Sequence, residues 1–273
     1  MLKLLNPYTC IHTVMANRSL FIQLIIRNIS SRYKGSILGF IWSFIHPLLM
    51  LSVYTFVFGI IFKSRWGIDE FNNNKAAFPL IMFCGMAIYN IFSESMHTNS
   101  VSIINNQSYV KKVVFPLELL PLSNIVTSFI FGFTWFILLL IGIMTLLHHI
   151  SWTMMLLPII LIPLFLITTG LSFFFASLTV YLRDIPQFVS MLTQILFFMT
   201  PIFYSITVVP ENFQWIIRLN PLSTIVEQTR MIFIFGKFPK ISEYIVILCI
   251  SIAIFQLGFA WFMKTKKGFA DVI

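Results

Sequence analysis

LLPLSNIVTSFIFGFTWFILLLIGIMTLL, residues 119–147, is followed after only HHISWT, residues 148–153, by MMLLPIILIPLFLITTGLSFFFASLTVYL, residues 154–182. Neither long run contains Asp, Glu, Lys or Arg. A helix needs ~20 predominantly apolar residues to cross a hydrocarbon core of ~30 Å, and each run exceeds that. The short connection permits only a tight reversal, so the pair reads as an antiparallel helical hairpin crossing a bilayer.

Working outward, four more segments have the length and apolarity of spans. Residues 37–62 form the first, with Pro47 after His46 as a candidate kink. Residues 78–104 form the second, residues 186–205 the fifth, interrupted by Pro201, and residues 244–263 the sixth. The expected fold is therefore all-α, a polytopic membrane protein with six spans in a single domain covering residues 1–273. Composition agrees: 58% of the residues are hydrophobic, 10% are charged, and the mean hydropathy is +0.92. Soluble domains are about half apolar and about a quarter charged. The net charge of +9 fits basic loops at one membrane face, so no nucleic-acid partner is expected.

Between the spans, the polar segments have distinct characters. In residues 17–34, Phe21, Ile22, Ile25, Ile26 and Ile29 recur at helical spacing, while Gln23, Arg27, Ser30 and Lys34 form another stripe. This stretch is too short and basic to cross and reads as an amphipathic helix at the membrane surface. Residues 105–116 form a basic loop. The charged stretch 208–243 has apolar runs too short to span, and reads as short helices that lie at or dip into the interface. Pro210 suits the start of one of them, with Glu211 in its first turn. Residues 1–19 hold no apolar core ahead of a small-residue cleavage site, so no cleavable leader is expected.

With six spans, eleven Lys and Arg fall on the side bearing both ends and seven on the other. The excess places both termini in the cytoplasm.

The chemistry present is sparse. No G-x-x-x-x-G-K-[ST] loop occurs, so the chain carries no such ATP site. Cys10, Cys84 and Cys249 show no metal-ligand spacing, and His148-His149 sit in a turn. No metal site and no catalytic residues are expected. Glu94 is the one carboxylate within a predicted span, beside Ser93, Ser95, His97, Thr98 and Asn99; it reads either as a functional group or as a hydrated residue at the interface. Gly35 and Gly39 form a G-x-x-x-G that allows close helix packing. Among 31 phenylalanines and the other aromatics, Trp42, Tyr54, Phe58, Tyr89 and Trp135, with Glu94, are candidates for lining a path. Missing paired carboxylates and internal repeats count against a secondary carrier or a membrane-embedded lipid-sugar transferase, the two alternatives from other classes.

Three blocks carry a resemblance. RYKGSILGFIW at 32–42 is followed by His46-Pro47 and VYTFVF at 53–58. YLRDI at 181–185 is followed by TPIFY at 200–204, Pro210, Asn220-Pro221 and Arg230; FAD at 269–271 closes the chain. This pattern resembles the type-2 ABC exporter permeases of polysaccharide export: O-antigen (Wzm-like), teichoic acid and capsule permeases. The Arg32–Trp42 block is most similar to the O-antigen branch. Thr200 departs conservatively from the small residue often found before this proline.

The resemblance implies a permease rather than an enzyme, acting as a homodimer with two copies of a separate ABC ATPase that holds ATP and Mg. The cargo would be a polysaccharide on an undecaprenyl-pyrophosphate carrier, and the location the bacterial inner membrane. The coupling element to the ATPase would fall on Asn105, Gln107, Tyr109, Val110, Lys111, Lys112 and Val113. Re-entrant extracytoplasmic helices would form an exit gate with Pro210, Glu211, Trp215, Asn220, Pro221 and Arg230. Arg27, Arg32 and Lys34, basic residues at the boundary, are candidates for receiving the pyrophosphate of the lipid carrier.

Overall fold

The computed structural model describes residues 8–61, 77–111, 115–148 and 150–272. Within them the chain is helical, and no strand occurs among the described residues. The helices are α1 (Tyr8–Ala16), α2 (Arg18–Arg32), α3 (Trp42–Tyr54), α4 (Ala77–Ser100), α5 (Gln107–Lys111) and α6 (Leu119–Gly142). They continue with α7 (Leu157–Tyr181), α8 (Ile185–Met199), α9 (Glu211–Leu219), α10 (Pro221–Phe233), α11 (Ile241–Thr265) and α12 (Phe269–Val272).

Five stretches are long and apolar enough to cross a membrane: Gly39–Phe58, Ala77–Ser100, Leu119–Leu147, Trp152–Tyr181 and Ile241–Val272. The hairpin read from residues 119–182 is present, and its turn is closed by His148 in the left-handed conformation at φ 50°. Ser151 caps the following turn by accepting from the Thr153 amide. The remaining apolar helix, α8, is shorter than the expected 186–205. Its 15 residues rise ~22 Å, less than the ~30 Å core. Pro201 has no N–H to continue the ladder and drives Thr200 into extended backbone (φ −86°, ψ 134°), which ends the helix at Met199. The first span runs through Pro47 without interruption and ends as a π-helical stretch, Thr55–Ile61.

Helix α4 is the hub. Nineteen of its 24 residues are buried, against α6, α7, α8 and α10. Helices α3 and α8 lie at the periphery. Leu48, Leu49, Val53 and Phe56 are exposed on α3, and Phe188, Met191, Ile195 and Phe198 on α8. Packing between spans relies on small residues, because lipid offers apolar side chains no reason to leave it. Gly170 of α7 and Gly258 of α11 bring the two backbones into direct contact, and Gly132 of α6 receives the Ile91 side chain of α4. The Gly35/Gly39 pair does something else. Gly35 lies in the joint between α2 and α3 at φ +85°, and Gly39 opens the 3-10 turn Gly39–Ile41 at φ +49°, with nothing within 4 Å of a built Cβ on either. Within this chain both glycines serve left-handed backbone.

The first and last described helices, α1 and α12, gather with α2 and α5 at one face, termed the terminal face. A second apolar core, including Cys10, Leu24, Ile103, Leu119, Phe173 and Phe262, binds that face together. The Glu118 carboxylate, at the N-terminus of α6, accepts from the Lys266 ammonium beyond the end of α11. Burial, and secondarily the nearby Glu118 charge, pushes the Cys10 thiol up to about 12. At pH 8 such a thiol is about one part in ten thousand thiolate, against about a quarter for an ordinary cysteine. In a variant with Cys84 and Cys249 replaced by Ala, maleimide labelling at pH 8 is therefore expected to be at least a hundredfold slower in the folded protein than after denaturation. Equal rates would mean that α1 is not docked.

Candidate functional site

The surface helix α2 follows α1 at a bend of 83°. Arg18, Arg27 and Arg32 are exposed, while Leu24 is buried and Leu20 and Phe21 pack on the terminal-face core. Its contacts climb α6: Asn28 reaches Ser123 and Asn124, and the Tyr33 ring packs edge-on to Phe131 at 5.6 Å. The helix thus leans along the first three turns of α6.

Two of the three predicted headgroup cations are already engaged. Arg27 donates to the Tyr109 hydroxyl at 3.1 Å and to Asn106 at 3.5 Å, joining α2 to α5 and the turn before it. Arg32 forms a two-pronged ion pair with Glu94 of α4, its second bond 3.2 Å long, and stacks 4.1 Å above the Phe131 ring. Lys34 is exposed. The Glu94 carboxylate is mostly covered, at 16% exposure, because Arg32 lies over it. Beneath this pair runs an amide chain. Asn28 donates to Asn124 at 2.8 Å, Asn124 to Asn99 at 3.2 Å, and Asn99 to Ser172 at 3.1 Å. Four helices, α2, α6, α4 and α7, are thereby fastened by polar groups that lipid cannot satisfy.

The five-residue α5 has two sides. Tyr109 and Val110 pack on the terminal-face core, with the Tyr109 ring 4.6 Å from Phe115. Asn105, just ahead of it, and Gln107 and Lys111 are exposed. Lys112 and Val113, also expected in the coupling element, lie outside the described residues. Hence α5 is seated through α2 below and presents a polar outer side.

The aromatic candidates separate. Tyr54 and Phe58 join Phe203, whose ring stacks on Phe58 at 4.8 Å and meets Tyr54 at 5.4 Å. Phe203 contacts Phe197, which contacts Tyr89. The Tyr89 hydroxyl donates to the Thr193 carbonyl, tying α4 to α8. This cluster runs from the outer end of the first span to the segment after α8. Trp42 is exposed on α3, apart from this cluster. Trp135 is buried in the core, stacked on Phe83 at 5.1 Å, so within this chain it packs rather than lines a path.

At the far face, opposite the termini, the predicted gate residues have assignable work. Pro210 precedes α9, with Glu211 in its first turn, and Trp215 is exposed. Asn220 caps α10 by accepting from the Leu222 amide at 3.0 Å, and Pro221 occupies the first helical position. The Asn220 amide also donates to the Thr200 hydroxyl at 2.9 Å, clasping the end of α8. Thr200 can serve there because it keeps the hydroxyl. Arg230 is fully buried. It donates to the carbonyls of Ile81 at 3.2 Å and Ile202 at 3.0 Å, and to Glu227 at 2.7 Å. Gly85 leaves room for it: a built Cβ would lie 2.9 Å from the guanidinium. Arg230 thus braces α10 against α4 and the segment after α8.

Several of these partners have no signal in the linear sequence. Glu118, Asn124 and Phe203 sit in ordinary apolar or loop contexts. Phe203 alone belongs to a quoted motif, TPIFY, and could have been singled out from it.

Residues 19–234 match the family described as ABC-2 type transporter. Two proteins of Klebsiella pneumoniae, each named O-antigen export system permease protein RfbA, are similar to the chain. One is 31% identical over 250 residues, covering 90% of this chain and 92% of the relative; the other is 30% identical over 263 residues with the same coverage. A Myxococcus xanthus protein of the same name is 27% identical over 259 residues, covering 94% of this chain and 96% of its own length.

Proposed function

Because this chain belongs to the ABC-2 type transporter family, as the permease subunit of a type-2 ABC exporter, we propose that it moves undecaprenyl-pyrophosphate-linked O-antigen across the bacterial inner membrane. The transporting unit is a homodimer with two ABC ATPase subunits, which bind ATP and Mg. Both termini face the cytoplasm, so the terminal face receives the ATPases and the far face releases the glycan. The names of the similar proteins favour O-antigen over teichoic acid or capsule.

One observation carries the mechanism: the join of Arg27 to Tyr109 and Asn106. A push on the exposed side of α5 passes through this join to α2, and from α2 through Arg32–Glu94 to the hub helix α4. ATP-driven closure of the partner subunits then has a material route to the spans, which exchange between a state closed to water and one open to cargo. The exposed apolar surfaces of α3 and α8 are where the second copy fits, around a path edged by the Tyr54–Phe58–Phe203 cluster.

At the entrance, the carrier's pyrophosphate cannot enter bare hydrocarbon and needs cations at the boundary. Lys34 and Arg32 are placed to receive it, Arg32 by exchanging the Glu94 carboxylate for a phosphate oxygen. Replacing Arg27, Arg32 and Lys34 together with Gln is expected to lower surface polysaccharide several-fold while dimer assembly persists. Unchanged export in that triple variant would remove the headgroup role. The wider reading is tested by co-purification with an ABC ATPase encoded beside the permease. ATPase activity is then measured in nanodiscs with and without lipid-linked glycan. A stable complex whose hydrolysis responds to the glycan is expected; a permease that binds no ATPase would end the proposal.

A further inference from the structure

At the far face, the turn at residues 205–207, α9, α10, the segment leading to Lys240 and the first turns of α11 line a half-open cavity of about 520 Å³. That is within the ~300–1,000 Å³ of small-ligand sites. Its polar wall includes Arg218, Thr224, Glu227, Lys240 and Glu243, and its apolar wall is Met231, Val246, Ile247 and Ile250.

The carboxylates are held in place. Glu227 receives Arg230 at 2.7 Å, and Glu243 receives Lys240 at 3.1 Å and the Gln228 amide at 3.3 Å. Gln228 also accepts the Lys240 backbone amide at 3.0 Å, which pins the segment to α10. Two groups are left over. Arg218 is exposed and makes no hydrogen bond or ion pair among the described residues. Ser223, behind the wall, is fully buried, and its hydroxyl has no partner among the described residues.

The formal charges of the lining cancel: Arg218 and Lys240 against Glu227 and Glu243. A phosphate would meet two fixed carboxylates, which disfavours it. Fixed acceptors, the free Arg218 donors and an apolar wall suit a neutral polyhydroxylated ligand, whose hydroxyls both donate and accept and whose C–H faces pack on aliphatic side chains. The cavity adjoins the gate helices at the face where cargo leaves.

We propose that this cavity is a glycan-binding subsite, which holds a short segment of the exported polysaccharide as it passes α9 and α10. The assignment rests on the exporter reading above and adds to it a contact outside the path.

The test uses the full chain in its native host. Val246, which lines the cavity and is exposed, is replaced by the photo-crosslinker p-benzoylphenylalanine. Ile252, exposed on the same helix but outside the lining, serves as control. After irradiation, Val246 adducts are expected to form a high-mass polysaccharide ladder that disappears when the first sugar transfer of glycan synthesis is blocked, with no ladder at Ile252. Adducts of phospholipid mass alone, or adducts indifferent to the block, would overturn the subsite. Filling the cavity with Thr224→Phe is expected to lower surface polysaccharide several-fold with ATPase binding unchanged, and full export there would count against the subsite equally. Deleting the gene separates the two readings. Intact surface polysaccharide after deletion removes the exporter reading itself, whereas lost export without Val246 ladders removes only the subsite.

Discussion

Replacing Gly258 with leucine is expected to prevent the bundle from assembling, and even Gly258→Ala is expected to cost about 3 kcal/mol or more, the upper end for overpacking. A Cβ built on Gly258 lies 2.6 Å from the Gly170 carbonyl carbon and 2.9 Å from its Cα; one built on Gly170 lies 2.5 Å from the Ile254 carbonyl oxygen and 2.7 Å from the Phe255 Cα. Every obstacle is backbone, which cannot rotate away. Separating α7 from α11 would break the Phe173–Phe259 and Phe173–Phe262 contacts and dislodge the terminal-face core. The internal comparison is Gly132→Ala. There the new methyl meets only the Ile91 side chain, which has rotamers to explore, so the cost is expected at ~1–2 kcal/mol and Ile91→Ala should recover it. Denaturation in mixed micelles, with yield of monodisperse protein, measures all of these. A Gly258→Ala protein as stable as the parent would mean that α7 and α11 do not meet as described.

The second large effect is expected at Arg230. Among the described residues its guanidinium holds three acceptors on three elements, so Arg230→Met leaves the Ile202 carbonyl and the Glu227 carboxylate without this donor. Removing one partner of a fully buried pair costs about 3–5 kcal/mol; Glu227 is 29% exposed and recovers part of that by hydration, so ~2–4 kcal/mol is expected. Arg230→Lys is expected to fail almost as badly, because a single ammonium cannot reach divergent acceptors with a planar fork's geometry. Gly85→Ala should produce the same defect from the other side by crowding the guanidinium. The readouts are stability and protease cleavage between α8 and α10, which is expected to rise in all three variants. Unaltered cleavage and export in Arg230→Met would show that α9 and α10 stand without this brace.

How far the sequence went depends on the element. The long runs at 119–147 and 154–182 declare themselves, since each holds 29 residues without Asp, Glu, Lys or Arg and only lipid or a deep core can cover them. Asn220-Pro221 also reads locally, because a cap and a first helical residue act on their own helix. By contrast, α8 falls short of its expected end because one proline outranked an apolar pattern that continued past it. Glycine spacing at Gly35 and Gly39 suggested packing, and backbone dihedrals assigned it to a turn. Glu94 looked like an isolated carboxylate until the fold brought Arg32, 62 positions away, onto it.

Burial of apolar surface in lipid is a property of composition, so the sequence alone determined that the chain crosses a membrane through an uneven set of apolar helices, with a basic helix ahead of them. Partnership is a property of three-dimensional proximity. Only the tertiary structure decided that Gly170 meets Gly258, that Arg27 seats α5 against α2, that Arg230 braces α10 against α4, and that Arg218 is left without a partner among the described residues beside a half-open cavity. These pairings join residues up to 149 positions apart, and no local pattern records a distance closed by folding.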